Sequence, residues 1–543
     1  MTDGGHAARD RRANSIATML DGARPRVDRQ LEGLAERLMT RDLGAHIVGQ
    51  LAGVEVTGVT ADSEATGAGS VFVAIPGARA DGHAFVPAAV RAGAAAVVVE
   101  RLLPGIGVPQ LVVNSSRRAL AETAAWWFDD PSRELAVIGI TGTDGKTTTS
   151  LLAAAALEGA GIPAGLIGTV ATQVGGIREM NVDHSTTPEA PLLQRSLRAM
   201  VDAGDRVAIL ETTSHGLAME RVAAIDYDVA ILTNLTHEHL ELHGSFEAYR
   251  AAKVSLFERL ALTPAHPAKT LFAWPRTGIV NLDDPSASAF VEATRAADAR
   301  LLTYGANPGA DVRLTDVVDA SDGMHVAYER EGHGSVIRLR LTGHFNAYNA
   351  LAVVALGHAM TLDPEAVRTG LEGLVNVPGR MERVDLGQPF TVIVDYAHSP
   401  ASLGLVLDEL GPIAAARGGG LIAVFGSAGE RDRDKRPMMG RIAAERCRIV
   451  IVTDEDPRGE DRLQILTEIA GGARKAATQP EAILEIADRS EAIHEAFARA
   501  RTGDIVVLAG KGHETTIEYA DHQVAWNERS VAERALEELG FRS

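Results

Sequence analysis

The stretch from Val137 to Ser150 limits more than any other what this chain can become. Val137-Ile138-Gly139-Ile140 reads as a short buried strand, Thr141 to Gly145 as a turn, and Lys146 onward as a helix. The helix continues through Leu151 to Leu157 in leucine and alanine alone. Gly142 and Gly145 let the turn curl around an anion with no Cβ in the way. The helix start then presents unpaired N–H groups and the positive end of its dipole. Lys146 adds a point charge suited to terminal phosphates, and the Thr147 hydroxyl suits Mg²⁺. The usual spacing of such a loop needs glycine at position 140, which is Ile140, so the motif is a shortened P-loop. A plain glycine turn with a solvated lysine leaves Thr147, Thr148 and Thr149 unexplained.

With 543 residues, 46% of them hydrophobic, the chain is long enough for two to four domains with real cores. Its net charge of −19 argues against nucleic acid as main partner and against an anionic membrane surface. Cys447 is the one cysteine, so no intrachain disulfide framework exists and a reducing, cytoplasmic setting is expected. No apolar run reaches the length of a membrane span; Ala92–Val99 is too short and meets Glu100, so no membrane insertion is expected. Asp3, Asp10, Asp21 and Asp28 count against reading the early arginines as a transit peptide.

Residues 1–40 read as an extension, partly disordered or helical, without chemistry. Residues 41–133 alternate short β-like runs (Val54–Val59, Val71–Ile75, Ala94–Val99, Gln110–Val113) with helical patterns at Phe85–Arg91 and Arg117–Phe128, which predicts a small α/β domain. Residues 134–378 hold the P-loop and the apolar strands Ala164–Ile167, Val207–Leu210, Val229–Leu232 and Gly278–Val280. Helices lie between them at Pro191–Ala203 and Phe246–Leu260. This is the pattern of a mostly parallel sheet with helices on both faces. Residues 379–543 repeat it with Thr391–Val394, Leu421–Phe425, Ile449–Val452 and Ile505–Ala509.

Ligands of such sheets bind at the carboxyl ends of the strands. One strand delivers Glu211, followed by Thr212-Thr213-Ser214-His215-Gly216; the next delivers Thr233-Asn234 and then Thr236-His237-Glu238-His239. A carboxylate and an imidazole there can share a divalent cation with the P-loop threonine and phosphate oxygens. The His237/His239 pair lacks further ligands at zinc spacing. Lys253, on the helix from Phe246, reads by itself as a solvated lysine, and Asp62-Ser63 and Asp81-Gly82-His83 as turns. Polar loops also follow strands at Asp395 to His398, Gly426 to Asp432, Asp454 to Arg458 and Gly510 to Glu514.

Gly142 to Thr147, Glu211 with Ser214-His215-Gly216, Asn234 with His239, Tyr249 to Lys253, Gly343 to Asn349, Gly379 to Glu382, Asp395 to His398 and Gly510 to Glu514 occur in this order. Together they resemble a Mur ligase, in the branch that adds the third amino acid to UDP-N-acetylmuramoyl-L-alanyl-D-glutamate. The resemblance runs from about Val54 to the C-terminus. It implies a three-domain α/β architecture: a UDP-substrate domain, a central P-loop ATPase domain and a Rossmann-like amino-acid domain. It also implies ATP and Mg²⁺, with a UDP-N-acetylmuramoyl dipeptide and a free diamino acid as partners, in a monomer. ATP phosphorylates the free carboxylate and the incoming amine displaces phosphate, chemistry that needs positioning and charge neutralisation rather than a protein nucleophile.

The resemblance assigns ATP contacts to Gly142, Thr143, Gly145, Lys146, Thr147, Thr148, Asn346, Asn349, Arg380, Asp395 and His398. It assigns magnesium to Thr147, Glu211, His239 and Lys253, the last as a carbamate (N6-carboxylysine). Lys146, Glu211, His239 and Lys253 are thereby catalytic. Ser63 matches a UDP contact, and Thr186, Thr187, Thr213 and Arg221 match the grip on the muramoyl dipeptide. Arg431, Asp456, Arg458, Gly510 and Glu514 match the amino-acid pocket. The chain departs from the pattern at Asp144 (usually Asn), at His237-Glu238 (usually Arg-Asp) and at Glu64 (usually Arg). In place of the Asp-Asn-Pro-Arg usual in diaminopimelate-adding members stands Glu455-Asp456-Pro457-Arg458. An ionised Asp456 accepts but cannot donate, so it repels a distal carboxylate and attracts an ammonium. With Asp456 neutralising Arg458, the pocket favours L-lysine or L-ornithine over meso-diaminopimelate. Two other readings compete: a folylpolyglutamate-synthase-like ligase, disfavoured by the full domain before the P-loop and by Thr186-Thr187-Pro188, and a catalytically inactive P-loop binding subunit.

Overall fold

The computed structural model describes residues 15–77, 80–181, 185–236, 243–262, 274–320 and 323–542. The chain divides into two compact units. One comprises Met1–Thr315, Tyr328–Ser335 and Tyr348–Leu371; the other comprises Asp316–Ala327, Val336–Ala347 and Glu372–Ser543.

The first unit opens with a small sheet of β1 (His46–Val48), β2 (Gly58–Thr60), β3 (Ser70–Val73), β4 (Ala96–Val99) and β5 (Gln110–Val112), in the order β1-β5-β4-β3-β2. Strands β2 to β5 are parallel and β1 pairs antiparallel with β5. Helix α1 (Ser116–Trp127) covers it, started by the Ser115 hydroxyl accepting the Arg118 N–H. Within the segment read as an extension, Leu31–Thr40 is helical and buries Leu31, Leu34 and Leu38.

The larger sheet of this unit is built on β6 (Ala136–Thr141), whose Val137, Ile138 and Ile140 are buried. From β6 the chain passes into α2 (Lys146–Gly159), β7 (Ala164–Ile167), β8 (Ala171–Val174), β9 (Ile177–Met180) and α3 (Ala190–Asp202). There follow β10 (Val207–Glu211), α4 (Ser214–Ala218), β11 (Val229–Leu232), α5 (Phe246–Glu258), β12 (Thr277–Asn281) and β13 (Arg300–Gly305). The order is β9-β8-β7-β10-β6-β11-β12-β13. Strands β7, β10, β6, β11, β12 and β13 are parallel, and the β8–β9 hairpin is antiparallel. Strands β6, β10, β11 and β12 are buried throughout, as expected of a sheet covered on both faces. The hairpin was not read from the sequence, although Gly175-Gly176 between its strands is a two-residue turn signal.

The second unit carries β14 (Glu382–Val384), β15 (Thr391–Asp395), α6 (Pro400–Ala416), β16 (Leu421–Phe425), α7 (Lys435–Arg446), β17 (Ile449–Val452), α8 (Arg462–Ala476), β18 (Ile483–Glu485), α9 (Arg489–Arg499), β19 (Ile505–Ala509) and α10 (Glu528–Glu538). The order is β14-β15-β19-β16-β17-β18, parallel except for the β14 edge. Separate apolar clusters cover the two faces, one with Leu403, Met439 and Ile469, the other with Ile493, Phe497 and Leu536. This is the α/β, Rossmann-like arrangement the sequence pattern implies.

Below the strand ends the buried Arg489 pairs with Glu528 at 2.7 Å and donates to Asp454 O and Ala509 O at 2.9 and 2.8 Å. Arg489→Ala leaves the buried Glu528 carboxylate without its cation, with the Trp526 indole N–H still donating to it at 2.6 Å, and takes a donor from each of the two carbonyls. Denaturant unfolding is therefore expected to lose about 3–5 kcal/mol. A loss below about 1 kcal/mol would place this pair among the weak ones. Among the described residues, no helix is long and apolar enough to cross a membrane.

Candidate active site

The P-loop joins β6 to α2 at the carboxyl edge of the parallel strands. Gly142 has φ 151° and Gly145 φ 81°. A Cβ on Gly142 would lie 1.8 Å from Thr233 Oγ1, and one on Gly145 2.4 Å from Asn349 Oδ1. The loop is pinned by β11's exit: Asn234 O accepts the Thr143 N–H at 2.8 Å, and Asn234 Oδ1 accepts the Asp144 N–H at 3.0 Å. Thr143 Oγ1 meets the Tyr249 hydroxyl at 3.0 Å, which ties the loop to α5. Thr149 Oγ1 donates to Asn349 Oδ1 at 3.2 Å, which places Asn349 beside the P-loop helix.

Two lysines close on this loop. Lys146 Nζ donates to Gly142 O at 3.0 Å and Thr143 O at 2.8 Å. Lys253 Nζ donates to the same Gly142 O at 2.6 Å and sits 4.7 Å from the Tyr249 ring centroid. Lys253 is only 2% exposed. The reading of Lys253 as a solvated lysine is therefore corrected: α5 turns that face inward, and the side chain ends at the phosphate-binding turn. Sharing one acceptor, the two ammonium nitrogens lie within about 6 Å of each other, roughly 3 kcal/mol of repulsion at an effective dielectric near 20. That arrangement suits an anion between them, or the loss of one charge.

Glu211 ends β10 and is 2% exposed. Its Oε2 accepts from Thr147 Oγ1 at 3.0 Å and Thr169 Oγ1 at 2.9 Å, and its Oε1 accepts the Thr169 N–H at 2.9 Å. Among the described residues no cationic side chain pairs with this buried carboxylate. A cluster of oxygen donors around an unneutralised carboxylate fits Mg²⁺. Thr147 and Glu211 would hold the ion. Lys253 would join them only as a carbamate, since an ammonium donates and cannot ligate. His239, with His237 and Glu238, lies outside the described residues.

The same network extends to the residues expected at the peptide end of the substrate. Thr169 Oγ1 meets Thr186 Oγ1 at 2.9 Å, Thr187 Oγ1 donates to Glu211 O at 2.8 Å, and Thr187 Oγ1 meets Thr213 Oγ1 at 3.0 Å. Arg221 Nη1 donates to Thr187 O at 2.8 Å, and Arg221 pairs with Glu189 at 2.6 Å. Burial, and then the Arg221 guanidinium, hold the neighbouring His215 below the usual imidazole range. Thr169 was missed by sequence reasoning; its place one residue beyond the Gly168 that follows β7 was the available signal. Ser63 lies in a turn where Asp62 Oδ1 accepts the Glu64 N–H at 2.9 Å, and among the described residues no hydrogen bond joins it to this network.

In the second unit Asp395 ends β15, and His398, Asp456, Arg458, Gly510 and Glu514 lie in the loops after β15, β17 and β19, while Arg431 follows β16, Arg380 precedes β14 and Asn346 lies on the helix Phe345–Ala359. Asp395 accepts the N–H groups of Met381 and Ala397 at 2.7 and 2.8 Å, and the Arg380 guanidinium stacks 4.8 Å from the Tyr396 ring centroid. His398 packs 4.6 Å from the same ring, and Asn346 Nδ2 donates to Thr342 O. Lys511, fully buried, donates to Asp456 at 2.8 Å and Glu514 at 2.6 Å. Burial pushes the Glu514 carboxyl up, opposed by Lys511 and reinforced by Asp456 and Glu455. Gly510 (φ 102°) faces Glu455, whose buried Oε2 has no hydrogen-bond partner among the described residues. Arg458 donates to Glu518 at 3.0 Å, so the expectation that Asp456 neutralises Arg458 is corrected: Lys511, unread as a pocket residue, takes Asp456. Arg431 is exposed.

A phosphate turn facing a buried carboxylate at the carboxyl edge of a parallel sheet defines a P-loop nucleotide enzyme. Family profiles described as the Mur ligase catalytic domain, the Mur ligase middle domain and the Mur ligase, glutamate ligase domain match residues 55–127, 140–357 and 379–512. A UDP-N-acetylmuramyl-tripeptide synthetase of Roseiflexus sp. (strain RS-1) is 46% identical over 494 residues, 90% of this chain and 96% of that protein. A UDP-N-acetylmuramoyl-L-alanyl-D-glutamate--2,6-diaminopimelate ligase of Bacillus licheniformis is 38% identical over 89% of this chain and 95% of its own length. A solved structure with the latter name superposes with a TM-score of 0.65 at 28% identity, covering 94% of this chain and 99% of its own. A folylpolyglutamate synthase from Mycobacterium tuberculosis, 20% identical over 72% of this chain, shares the fold with a TM-score of 0.57. The chain belongs to the Mur ligase family, ATP-dependent ligases that make peptide bonds.

Proposed function

We propose that this chain joins a free diamino acid, as third residue, to UDP-N-acetylmuramoyl-L-alanyl-D-glutamate through an acyl phosphate. The observation that carries the nucleotide end of this reading is the convergence of Lys146 and Lys253 on Gly142 O beside the buried Glu211. Lys146 and the loop N–H groups would bind the terminal phosphates of ATP and offset the charge that spreads over the transferring phosphoryl group. Mg²⁺, held by Thr147 and Glu211, would supply further charge neutralisation there. Thr186, Thr187, Thr213 and Arg221 would orient the dipeptide so that its free carboxylate attacks in line. That attack forms the acyl phosphate and expels ADP. The amine of the incoming amino acid then attacks the acyl carbon, a C–N bond forms with loss of a proton, and the C–O bond breaks so that phosphate leaves with one carboxylate oxygen.

For that amino acid we favour L-lysine or L-ornithine over meso-diaminopimelate. Support comes from charge: Asp456 and Glu514 share the buried ammonium of Lys511, and among the described residues the neighbouring Glu455 keeps an oxygen without a hydrogen-bond partner. Such a wall receives a terminal ammonium and repels a second carboxylate. Relatives named for 2,6-diaminopimelate are the reason to test it. Specificity constants should rank lysine or ornithine first, and Asp456→Asn should shift the ratio towards meso-diaminopimelate by about 10-fold or more, one charge-assisted contact's worth. A wild type that prefers meso-diaminopimelate, with Asp456→Asn unchanged, would remove Asp456 as selector.

The overall reading is tested by ADP release. It should require the UDP-muramoyl dipeptide and a diamino acid together. ATP turnover indifferent to both would favour a P-loop switch, and turnover with folate substrates would favour the folylpolyglutamate-like alternative.

A further inference from the structure

Three basic side chains meet at the end of the parallel strands opposite the P-loop. Arg300 opens β13, Arg330 closes the strand Gly323–Arg330, and His358 lies in the last turn of the helix Phe345–Ala359. Arg300 Nη2 is 2.8 Å from His358 Nε2, and Arg330 Nη1 is 3.0 Å from His358 Nδ1. Arginine only donates; a neutral imidazole has one acceptor nitrogen and one N–H, and an imidazolium has no acceptor. At least one of the two contacts therefore sets donor against donor. Burial, then Arg330 and Arg300, hold His358 below the usual imidazole range, while Glu331 and Asp311 act the other way.

The nearby backbone carbonyls and one oxygen of Asp311 are engaged elsewhere, which leaves the exposed Glu331 carboxylate as the one competing acceptor among the described residues. The helix-end carbonyls of Leu356, Gly357 and His358 accept the N–H groups of Met360, Leu362 and Thr361. Asp311 Oδ2 accepts both the N–H and the hydroxyl of Thr303. Glu331, 65% exposed, stands 3.7 Å from His358 Nε2, and among the described residues neither guanidinium forms an ion pair. His358 is itself about one quarter exposed, so the cluster is open to solvent.

We propose that Arg300, Arg330 and His358 form a binding site for a phosphate-class oxyanion, separate from the nucleotide site. An oxygen seated between a guanidinium and the imidazole N–H accepts from both, turning the donor–donor contact into two charge-assisted hydrogen bonds. Two guanidinium forks and an imidazole offer more donors than a planar carboxylate can accept at once, whereas a tetrahedral oxyanion has enough oxygens for all three. The register sets the distance from the P-loop. Arg300 pairs with Thr277, Thr277 with Val229 and Val229 with Ile138, and the loop begins beyond Thr141. By strand spacing this is roughly 15–20 Å. The ion is free inorganic phosphate or the phosphate group of a nucleotide.

Equilibrium dialysis with radiolabelled inorganic phosphate at fixed ionic strength tests the site, using full-length Lys146→Ala to weaken the P-loop. Phosphate should still bind, at one site per chain. Adding Arg300→Gln and Arg330→Gln should weaken it by about 10-fold or more, the loss of charge-assisted contacts. Arg300→Lys with Arg330→Lys, which keeps the charge but loses the forks, should also weaken it and serves if the glutamine variant misfolds. Glu331→Gln should strengthen it by removing a competing carboxylate. Displacement by ATP or UDP in the Lys146→Ala protein marks a nucleotide phosphate as the occupant, and its absence marks free phosphate. No binding in Lys146→Ala, or binding unchanged by both pairs of arginine substitutions, overturns the proposal.

Discussion

Lys146→Ala and Glu211→Ala are each expected to lower ligation by ~10²-fold or more, the usual effect of deleting one preorganised electrostatic group. The two act on opposite charges in one place. Lys146 lies over the P-loop carbonyls, 2.8 Å from Thr143 O, where its charge would meet the terminal phosphates. Glu211 is buried, held by Thr147 and Thr169, and would bring in the metal that spreads the same negative charge. Removing Lys146 should leave Glu211's hydroxyl network whole, so the loss should fall on turnover and not on folding. Removing Glu211 should also free Thr147 and Thr169, and loosen the loop that carries Thr186 through the Thr169–Thr186 contact. Both constants, turnover and the Michaelis constant for the dipeptide, should therefore change in Glu211→Ala. Near-normal turnover in either variant would mean that the phosphates of ATP are not bound at this loop.

Lys253→Ala is expected to be inactive and partly restored by small carboxylic acids such as formate or acetate. A buried ammonium less than about 6 Å from a second one is costly. The ammonium loses a proton to give the free amine, and attack of that amine on carbon dioxide forms an N–C bond and releases a second proton, converting Lys253 into a carbamate, whose oxygens are the ligands that Mg²⁺ takes. The charge at this position then changes sign, and the repulsion from Lys146 becomes attraction. Enzyme equilibrated with ¹³C-labelled bicarbonate should show one carbamate carbon signal that is absent from Lys253→Ala. Full activity in Lys253→Ala, or no such signal in active enzyme, would refute the modification.

Much of this site was legible because each part follows a strand too apolar to be anything else. Val207 to Leu210 could only be buried, so Glu211 had to stand at its carboxyl end. Lys253 shows the limit of reading residues singly. Phe246 to Glu258 is a helix without a sharp apolar stripe, and which face α5 turns inward is decided by Tyr249 packing under Thr143, a contact 106 residues away in sequence. Thr169 escaped for the same reason: its partners, Glu211 and Thr186, are brought to it by sheet order. In the second unit, Asp456 and Arg458 lie two residues apart and invited pairing, yet Arg458 adopts a left-handed backbone (φ 52°) that sends it to Glu518. Lys511 fills the place left beside Asp456 because β17 and β19 both end there. The β8–β9 hairpin was missed although Gly175-Gly176 announced it. Arg300 to Gly305 was missed because its first residue is charged and the turn before it is marked by Asp298 alone (φ 52°), with no glycine or proline within Arg295 to Ala299.

Ligation by this route requires phosphoryl transfer from ATP to a substrate carboxylate, and one isotope measurement addresses that step itself. UDP-N-acetylmuramoyl-L-alanyl-D-glutamate labelled with ¹⁸O in its free carboxylates is ligated in unlabelled water, and the inorganic phosphate released is analysed by mass. If the carboxylate is phosphorylated and the amine then displaces phosphate, each phosphate must carry away one labelled oxygen. Phosphate free of label, formed while ligation proceeds, would mean that ATP is hydrolysed by water and that the acyl phosphate does not lie on the path.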